Sequence, residues 1–211
     1  MNASALTGKR LSKRTAIVNA AIEAFAQRGF HEAKISEIAK QANVADGTVY
    51  LYFKNKEDLY IKLLHMAFDK KKEIMNDIYN KYPDTTDIFK IMEMQAEAFV
   101  KYAFENKLFY KFSVSFLKEK GTDIYEKVFS SAEEQKNEII DKIIKTGIKN
   151  GSIRKDLPES FLKNALIYFF FHAQEFIDFF SDFNDKETLT ENYNSFLKIL
   201  KNGFSGKNEQ N

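Results

Sequence analysis

The sequence contains no cysteine and no tryptophan, and it has only two prolines and eight glycines among its 211 residues. Without cysteine there is no disulfide framework, no thiolate metal site and no cysteine nucleophile. So few prolines and glycines favour long helices over a β-sandwich, which needs many turns. The first 14 residues have no apolar core of the signal-peptide type, and the most apolar stretch, residues 161–180, contains several polar and charged side chains. We therefore expect a cytoplasmic all-α protein without a membrane partner.

The sequence also lacks the motifs of the common enzyme classes. The three histidines, His31, His65 and His172, are far apart and have no carboxylate at metal-ligand spacing. There is no nucleophile elbow, no phosphate-binding glycine-rich loop and no dinucleotide fingerprint. We expect no catalytic residue, no metal site and no cofactor.

Charge and aromatic content divide the chain into two parts. Residues 1–62 hold ten basic and six acidic side chains, a net charge of +4, whereas the rest of the chain has a net charge of −2. Phenylalanine is distributed the opposite way, with three in the first 62 residues and eighteen in the remainder. A small basic head followed by a large aromatic body indicates two functions.

Apolar residues recur with helical spacing along most of the chain, and they predict about nine helices. Gly29, Tyr82-Pro83, Gly121 and Asn150-Gly151 are the main stop signals. The predicted helices cover about residues 14–28, 35–41, 47–53, 57–81, 87–105, 107–118, 123–148, 161–180 and 189–204. We predict a flexible basic arm at 1–13, a head at 14–60, a body at 61–204 and a disordered tail at 205–211.

Residues 38–59, IAKQANVADGTVYLYFKNKEDL, contain two short helices joined by a tight turn. An Ile-Ala pair, a Val in the turn, a Gly-Thr-x-Tyr-x-Tyr-Phe helix and a Lys-x-Lys-Glu entry to the next helix fall at fixed offsets. This order resembles the DNA-binding head of the TetR family of bacterial transcription regulators over about residues 14–62. The resemblance implies a helix-turn-helix head whose third helix reads the major groove of double-stranded DNA.

The resemblance and the chemistry of the side chains together assign candidate DNA contacts. Thr48, Tyr50 and Tyr52 carry hydroxyl groups that suit phosphate oxygens, and Leu51 can meet a thymine methyl group. Lys56 resembles the family's phosphate-contacting lysine. The complete predicted set is Ser36, Asp46, Gly47, Thr48, Tyr50, Leu51, Tyr52 and Lys56, with Lys9, Arg10, Lys13 and Arg14 following the DNA backbone or a minor groove.

Two alternatives remain open within this set. Tyr50 and Tyr52 can instead cover the core of the head, and Asp46 can cap the third helix rather than read a base. Lys34 and Ala45 stand where relatives usually have a Ser or Thr cap, so the second and third helices lack that cap.

The eighth predicted helix is apolar nearly all round, so it must be buried on more than one side. One apolar stripe can serve the core of the subunit and another a second copy of the chain, and the resemblance implies that the last two helices pair in a homodimer. The predicted interface residues are Leu166, Phe169, Ala173, Phe176, Phe180, Tyr193, Phe196 and Leu200.

The resemblance further implies an effector cavity in the body. Its candidate lining residues are Phe68, Phe89, Met92, Phe99, Phe104, Phe112, Phe116, Phe129, Tyr168 and His172. Aromatic and methionine side chains at helical spacing are also what core packing requires, and that alternative remains open for each of them. A small hydrophobic or aromatic effector is expected.

We therefore expect a ligand-responsive transcriptional repressor that binds a palindromic operator as a dimer and is released by a hydrophobic effector. The alternative is a helical carrier or sensor of lipid-like molecules with a weak or vestigial DNA-binding head.

Overall fold

The computed structural model describes residues 3–81, 88–133, 137–166, 168 and 185–205. Within these residues every regular element is a helix, apart from one antiparallel bridge between Ile153 and Ser205. The predicted all-α fold is confirmed. The helices are α1 (Ala3–Glu32), α2 (Ile35–Gln41), α3 (Asp46–Tyr50), α4 (Lys56–Lys81), α5 (Ile88–Glu105), α6 (Lys107–Ser115), a 3-10 turn (Phe116–Glu119), α7 (Asp123–Glu133), α8 (Asn137–Asn150), α9 (159–166) and α10 (Lys186–Phe204).

Most helix ends lie close to their predicted positions, with a few differences. Helix α1 begins at Ala3, so most of the arm predicted at residues 1–13 is helical, and Gly29 interrupts α1 with a φ of 76°. Helix α3 is shorter than predicted because its last turn tightens: Leu51 and Tyr52 donate their N–H groups to Thr48 and Val49, three residues back. The single helix predicted over 123–148 is described as α7 and α8, and residues 134–136 between them lie outside the description.

The chain forms two compact units. Unit 1 comprises Met1–Lys70 and Asn106–Ser130, and unit 2 comprises Lys71–Glu105 and Ser131–Asn211. Helix α4 is continuous and contributes residues to both. This division does not coincide with the functional boundary predicted near residue 60, which stays a prediction. No helix in the described ranges has the length and apolar character needed to span a bilayer.

The core of unit 1 joins the helix-turn-helix segment to α6. Ile17 and Phe25 of α1, Leu59 and Tyr60 of α4, and Phe112 of α6 are all fully buried in one apolar cluster. The ring of Tyr60 lies edge-on to Phe25 at 4.9 Å and to Phe112 at 5.6 Å between centroids. Aromatic packing of this kind adds to the burial energy of the rings. The head is therefore stabilised by a helix that follows it by more than forty residues in the chain.

Unit 2 is built around α5 and α10, with Ile144, Leu162 and Leu200 among its buried residues. Asp185 caps α10, because its carboxylate accepts the N–H groups of Glu187 and Thr188, each at 3.1 Å. This cap starts the helix one turn before the predicted position.

The far end of α10 is fastened to the segment that follows α8. Arg154 donates its N–H to the carbonyl of Phe204 at 2.9 Å, and its guanidinium donates to the carbonyl of Gly203 at 3.1 Å. The same guanidinium pairs with Asp156 through two hydrogen bonds of 2.6 and 2.5 Å. A bidentate pair fixes the orientation of the arginine, so the main-chain contacts are held in place.

The structure corrects part of the predicted dimer interface. Leu166, Phe196 and Leu200 are buried in the core of unit 2, and Tyr193 packs against that core half-buried. A side chain enclosed by its own subunit has little surface left for a second chain, so Leu166, Phe196 and Leu200 serve the core of unit 2, whereas the half-buried Tyr193 stays a predicted interface residue. Phe169, Ala173, Phe176 and Phe180 lie outside the described residues.

Unit 1 buries two polar side chains against its aromatic core. The Glu119 carboxylate is 7% exposed and meets the Nε2 of His31 at 3.2 Å. The Tyr60 hydroxyl is buried and forms no well-aligned hydrogen bond in the described part of the chain, although a contact with the Ser115 side chain acts to lower its pKa. Burial, with a smaller contribution from the nearby Glu119 carboxylate, raises the pKa of Tyr60 above its ordinary value.

We predict that Tyr60→Phe stabilises the protein by about 1 kcal/mol, because it removes a buried hydroxyl that lacks a well-aligned hydrogen bond. The contribution of the Tyr60 hydroxyl to the free energy of unfolding also depends on pH. The unfolded chain ionises this tyrosine near pH 10, before the folded protein does, so this group lowers stability as the pH rises above about 10.

Denaturant unfolding at neutral pH and above pH 10 measures both effects, and the difference between Tyr60→Phe and the wild type should grow with pH. Tyr50→Phe is the matched control, since its hydroxyl is on an exposed side chain. A destabilised Tyr60→Phe protein would mean that the hydroxyl has a partner in solution.

Candidate nucleic-acid interface

The turn between α2 and α3 is set by its own residues. Asn43 adopts a φ of 53°, a left-handed conformation that asparagine tolerates better than most residues. The N–H of Val44 bonds to the carbonyl of Ala39 at 3.0 Å, and the half-buried Val44 side chain packs against the core of unit 1. Val44 therefore adds to the core of unit 1 at this turn.

The segment after this turn, residues 46–53, is oriented by the burial of two of its residues. Val49 is 0% exposed and Phe53 is 2% exposed, so this side faces the core. Tyr50 and Leu51 are 53% and 76% exposed, which is unusual for side chains of this size. Asp46 and Gly47 are also exposed, and Thr48 is half-buried. The segment therefore presents a hydroxyl and an apolar side chain to the outside.

Several predicted residues surround one cleft on the surface of unit 1. Its volume is about 530 Å³, and its walls come from the end of α1, the start of α2, α3 and the start of α4. The lining residues are His31, Glu32, Ala33, Lys34, Ile35, Ser36, Asp46, Tyr50 and Lys56. Four predicted DNA contacts, Ser36, Asp46, Tyr50 and Lys56, are thus brought together.

The cleft contains charges of both signs. Lys34 and Lys56 are opposed by Glu32 and Asp46. Lys34 was not among the predicted contacts. The sequence feature that could have indicated it is a lysine at a position where a Ser or Thr helix cap is usual. Neither Lys34 nor Ala45 provides a side-chain cap to the helix it precedes, as the sequence predicted.

Lys56 has an internal role that the sequence did not indicate. Its ammonium group donates hydrogen bonds to the carbonyls of His31 and Ala33, each at 3.1 Å, and lies 4.6 Å from the centroid of the Phe30 ring. A cation at the end of a helix stabilises the carbonyls that the helix leaves without partners. Two of its three N–H donors are therefore used inside the protein.

The environment of Tyr52 differs from that expected of a DNA contact. Its side chain is half-buried against the core of unit 1, and its hydroxyl donates to the carbonyl of Arg10 at 3.2 Å. A phenol has one proton to donate, so this bond and a bond to phosphate are mutually exclusive. The alternative of a tyrosine that covers the head's own core describes Tyr52 better, whereas Tyr50 faces outward.

The start of α4 is fixed by a reciprocal cap. Asn55 accepts the N–H of Asp58 at 2.7 Å, and Asp58 accepts the N–H of Lys54 at 2.9 Å. Hydrogen bonds from the Lys62 side chain and from the Lys54 N–H lower the pKa of the Asp58 carboxyl, against the opposing effect of burial. The sequence predicted a helix start near residue 57 but did not indicate the cap by Asn55.

The predicted ligand-lining residues are divided between the two units. Phe68 and Phe116 meet edge to face at 6.2 Å in unit 1, where Phe112 is fully buried. Phe89 and Met92 belong to the core of unit 2, Phe99 and Phe104 are half-buried on α5, and Tyr168 is 59% exposed. The side chain of Phe129 and all of His172 lie outside the described residues. Core packing therefore accounts for Phe112 and Phe116, and the effector site stays a prediction.

Comparison with known proteins agrees with this geometry. A family profile described as "Bacterial regulatory proteins, tetR family" matches residues 17–63. Over 192 residues the chain is 31% identical to the fatty acid metabolism regulator protein of Bacillus subtilis (strain 168), covering 90% of this chain and 95% of that protein. The chain belongs to the TetR family of bacterial regulatory proteins.

Two solved structures share the fold of this TetR-family chain. The transcriptional regulator FadR from Bacillus subtilis in complex with stearoyl-CoA has a TM-score of 0.68 and 25% identity, covering 90% of this chain and 98% of that chain. The fatty acid degradation regulator FadR from Bacillus halodurans has a TM-score of 0.66 and 23% identity over the same shares. The general function expected from the sequence, a ligand-responsive DNA-binding transcriptional regulator, is confirmed.

We predict that Lys56→Met lowers the free energy of unfolding by roughly 1–3 kcal/mol, because it removes two charged hydrogen bonds to main-chain carbonyls. If the third donor meets a phosphate, the same change also flattens the log–log dependence of DNA affinity on salt by about 0.9 per protomer. Denaturant unfolding and salt titrations on duplex DNA measure the two roles separately.

Lys54→Met is the control for this pair of measurements, because Lys54 is an exposed lysine two residues earlier. Unchanged stability in Lys56→Met would refute the capping role. An unchanged salt slope would refute the phosphate contact.

Proposed function

We propose that the protein is a dimeric repressor of genes of fatty acid metabolism and that long-chain acyl-CoA releases it from DNA. The observation that carries this proposal is the 31% identity to the Bacillus subtilis fatty acid metabolism regulator over nearly the full length of both chains. The 25% identity to a FadR solved with stearoyl-CoA names the ligand class.

The head binds DNA through the exposed side of residues 46–51 and the cleft beside it. Leu51 meets a thymine methyl group, and Tyr50, Ser36 and the remaining donor of Lys56 meet phosphates. Asp46 is the unfavourable member, since a carboxylate near phosphate is repelled unless it accepts from a cytosine amino group. These roles follow from exposure, from position around the cleft and from the chemistry of each group.

Acyl-CoA combines a long apolar chain with an anionic head, and α4 and α5 together offer partners for both. Phe99 and Phe104 are half-buried, so each exposes part of an apolar ring. The ammonium group of Lys71, on α4, lies 5.5 Å from the centroid of the Phe99 ring. An apolar surface next to a cation suits an acyl chain whose carrier ends in phosphates.

Helix α4 provides a physical connection between ligand and DNA. It carries Lys56 at its first position and Lys71 four turns later, in one uninterrupted helix. We call residues 46–53 the reading segment. A ligand that shifts α4 changes the separation of the two reading segments in a dimer. Release follows only if the ligand binds the two arrangements with different affinity, with a coupling of about 1–3 kcal/mol in typical cases.

We predict that micromolar stearoyl-CoA abolishes binding to a duplex selected by the protein itself from fragmented genomic DNA. Free coenzyme A and octanoyl-CoA should have little effect, because they bury less apolar surface. Phe99→Ala should raise the stearoyl-CoA concentration needed for half-release without changing DNA affinity, whereas Leu108→Ala in unit 1 should not. Electrophoretic mobility shift or fluorescence anisotropy measures the release.

The outcomes separate the two functional hypotheses. Stearoyl-CoA that binds without any specific DNA binding by the protein would favour a lipid carrier or sensor. Specific DNA binding that no acyl-CoA alters would reject the ligand class but not the regulator.

The second part of the proposal is a homodimer with two-fold symmetry, because two heads about 34–36 Å apart can engage successive major grooves. Unit 2 has exposed apolar side chains that suit a second copy: Ile199 on α10, Phe161 on α9 and Tyr168 are 59%, 58% and 59% exposed. These residues replace the buried Leu166, Phe196 and Leu200 as interface candidates.

We predict that Ile199→Glu converts the dimer into monomers in sedimentation velocity and weakens specific DNA binding at least tenfold. Burying a new carboxylate in an apolar interface is costly, whereas on an isolated subunit it remains hydrated. Lys201→Glu, on the opposite flank of the same helix, should remain dimeric. A dimer that survives Ile199→Glu would place the interface elsewhere.

A further inference from the structure

Tyr52 connects two parts of the head that are far apart in sequence. Its hydroxyl donates to the main-chain carbonyl of Arg10 at 3.2 Å, across 42 residues. A carbonyl oxygen has two lone pairs, so Arg10 can accept this bond in addition to its bond within α1. The contact therefore fastens the first turns of α1 to the end of the reading segment without disturbing the helix.

The neighbouring residue makes a second contact with the same face of α1. The guanidinium of Arg14 lies 5.9 Å from the centroid of the Phe53 ring, a cation–π arrangement. Arg10 and Arg14 are four residues apart and so lie on one side of the helix. Because Phe53 is itself buried, this face is held against a fixed part of the head.

The fastened segment is strongly cationic. Arg10, Lys13 and Arg14 are all exposed, and the chain has no acidic residue before Glu23. Exposed cations beside a segment that reads DNA add phosphate contacts, provided that their backbone is held in position. An unfastened helix end would have to be ordered at the moment of binding, at a cost in conformational entropy.

We propose that Tyr52 is a positioning residue, which holds the basic first turns of α1 beside the reading segment so that Arg10 and Lys13 contact the DNA backbone. This inference rests on the DNA-binding part of the proposed function. It differs from the role that the sequence indicated, because the Tyr52 hydroxyl acts on the protein and leaves the phosphates to the cations of α1.

The first test needs no DNA. Hydrogen exchange of the full-length protein, read at the amides of residues 8–14, should accelerate at least fivefold in Tyr52→Phe. Tyr50→Phe is the matched control, since it removes a hydroxyl from an exposed tyrosine two residues earlier and should leave these amides unchanged. Equal exchange in Tyr52→Phe and the wild type would overturn the tether.

The second test is a mutant cycle on DNA affinity, measured from low to high salt on the duplex selected by the wild-type protein. Arg10→Ala/Lys13→Ala should flatten the log–log salt slope by about 0.9 for each phosphate that is no longer neutralised, summed over both protomers. Tyr52→Phe should also flatten the slope, although it removes no charge. In the Arg10→Ala/Lys13→Ala background, Tyr52→Phe should have no further effect.

The cycle distinguishes a positioning residue from a direct contact. If Tyr52 itself bound a phosphate, Tyr52→Phe would weaken binding to the same extent in both backgrounds and leave the salt slope unchanged, which would overturn the inference. A wild-type protein that bound no duplex would instead overturn the proposed function as well, so the two failures are distinct.

Discussion

The burial of Val49 and Phe53 is the constraint on which the head depends. Both side chains are enclosed by the core of unit 1: Val49 lies in α3 and Phe53 follows it by one helical turn, with its N–H bonded to the carbonyl of Val49 at 3.0 Å. This arrangement leaves Tyr50 and Leu51 outside. The exposed face is therefore a consequence of core packing. Because protein interiors are close-packed, the orientation of this face is fixed as firmly as the buried side chains are.

The core that provides this constraint is larger than three helices. Phe112 of α6 completes the aromatic cluster around Tyr60, so residues 106–130 stabilise the unit that holds the proposed DNA-binding surface. A small three-helix head alone buries little apolar surface and is correspondingly marginal. Integration with α6 gives the reading segment the rigidity of a larger unit.

Much of this arrangement could be predicted from local signals. Helical spacing and the stop at Gly29 located α1 and α2, and the Gly-Thr-x-Tyr-x-Tyr-Phe order identified the reading segment. The roles of Tyr52 and Lys56 could not be predicted, because each depends on a main-chain carbonyl brought close by folding, that of Arg10 for Tyr52 and those of His31 and Ala33 for Lys56. The apolar stripes of the last helices had the same difficulty. Periodicity shows that Leu166 and Leu200 lie on apolar faces of their helices. Only packing decides whether the subunit itself or a second copy covers each face.

The attachment of Arg154 to the end of α10 bears on the proposed homodimer. Since Arg154 bonds to Phe204 and Gly203, and Ile153 pairs with Ser205, the terminal turn is fastened at a point where helices normally fray. Asp185 secures the opposite end. A helix secured at both ends offers a surface whose shape is settled before any encounter, so association loses little additional freedom in this part of the chain.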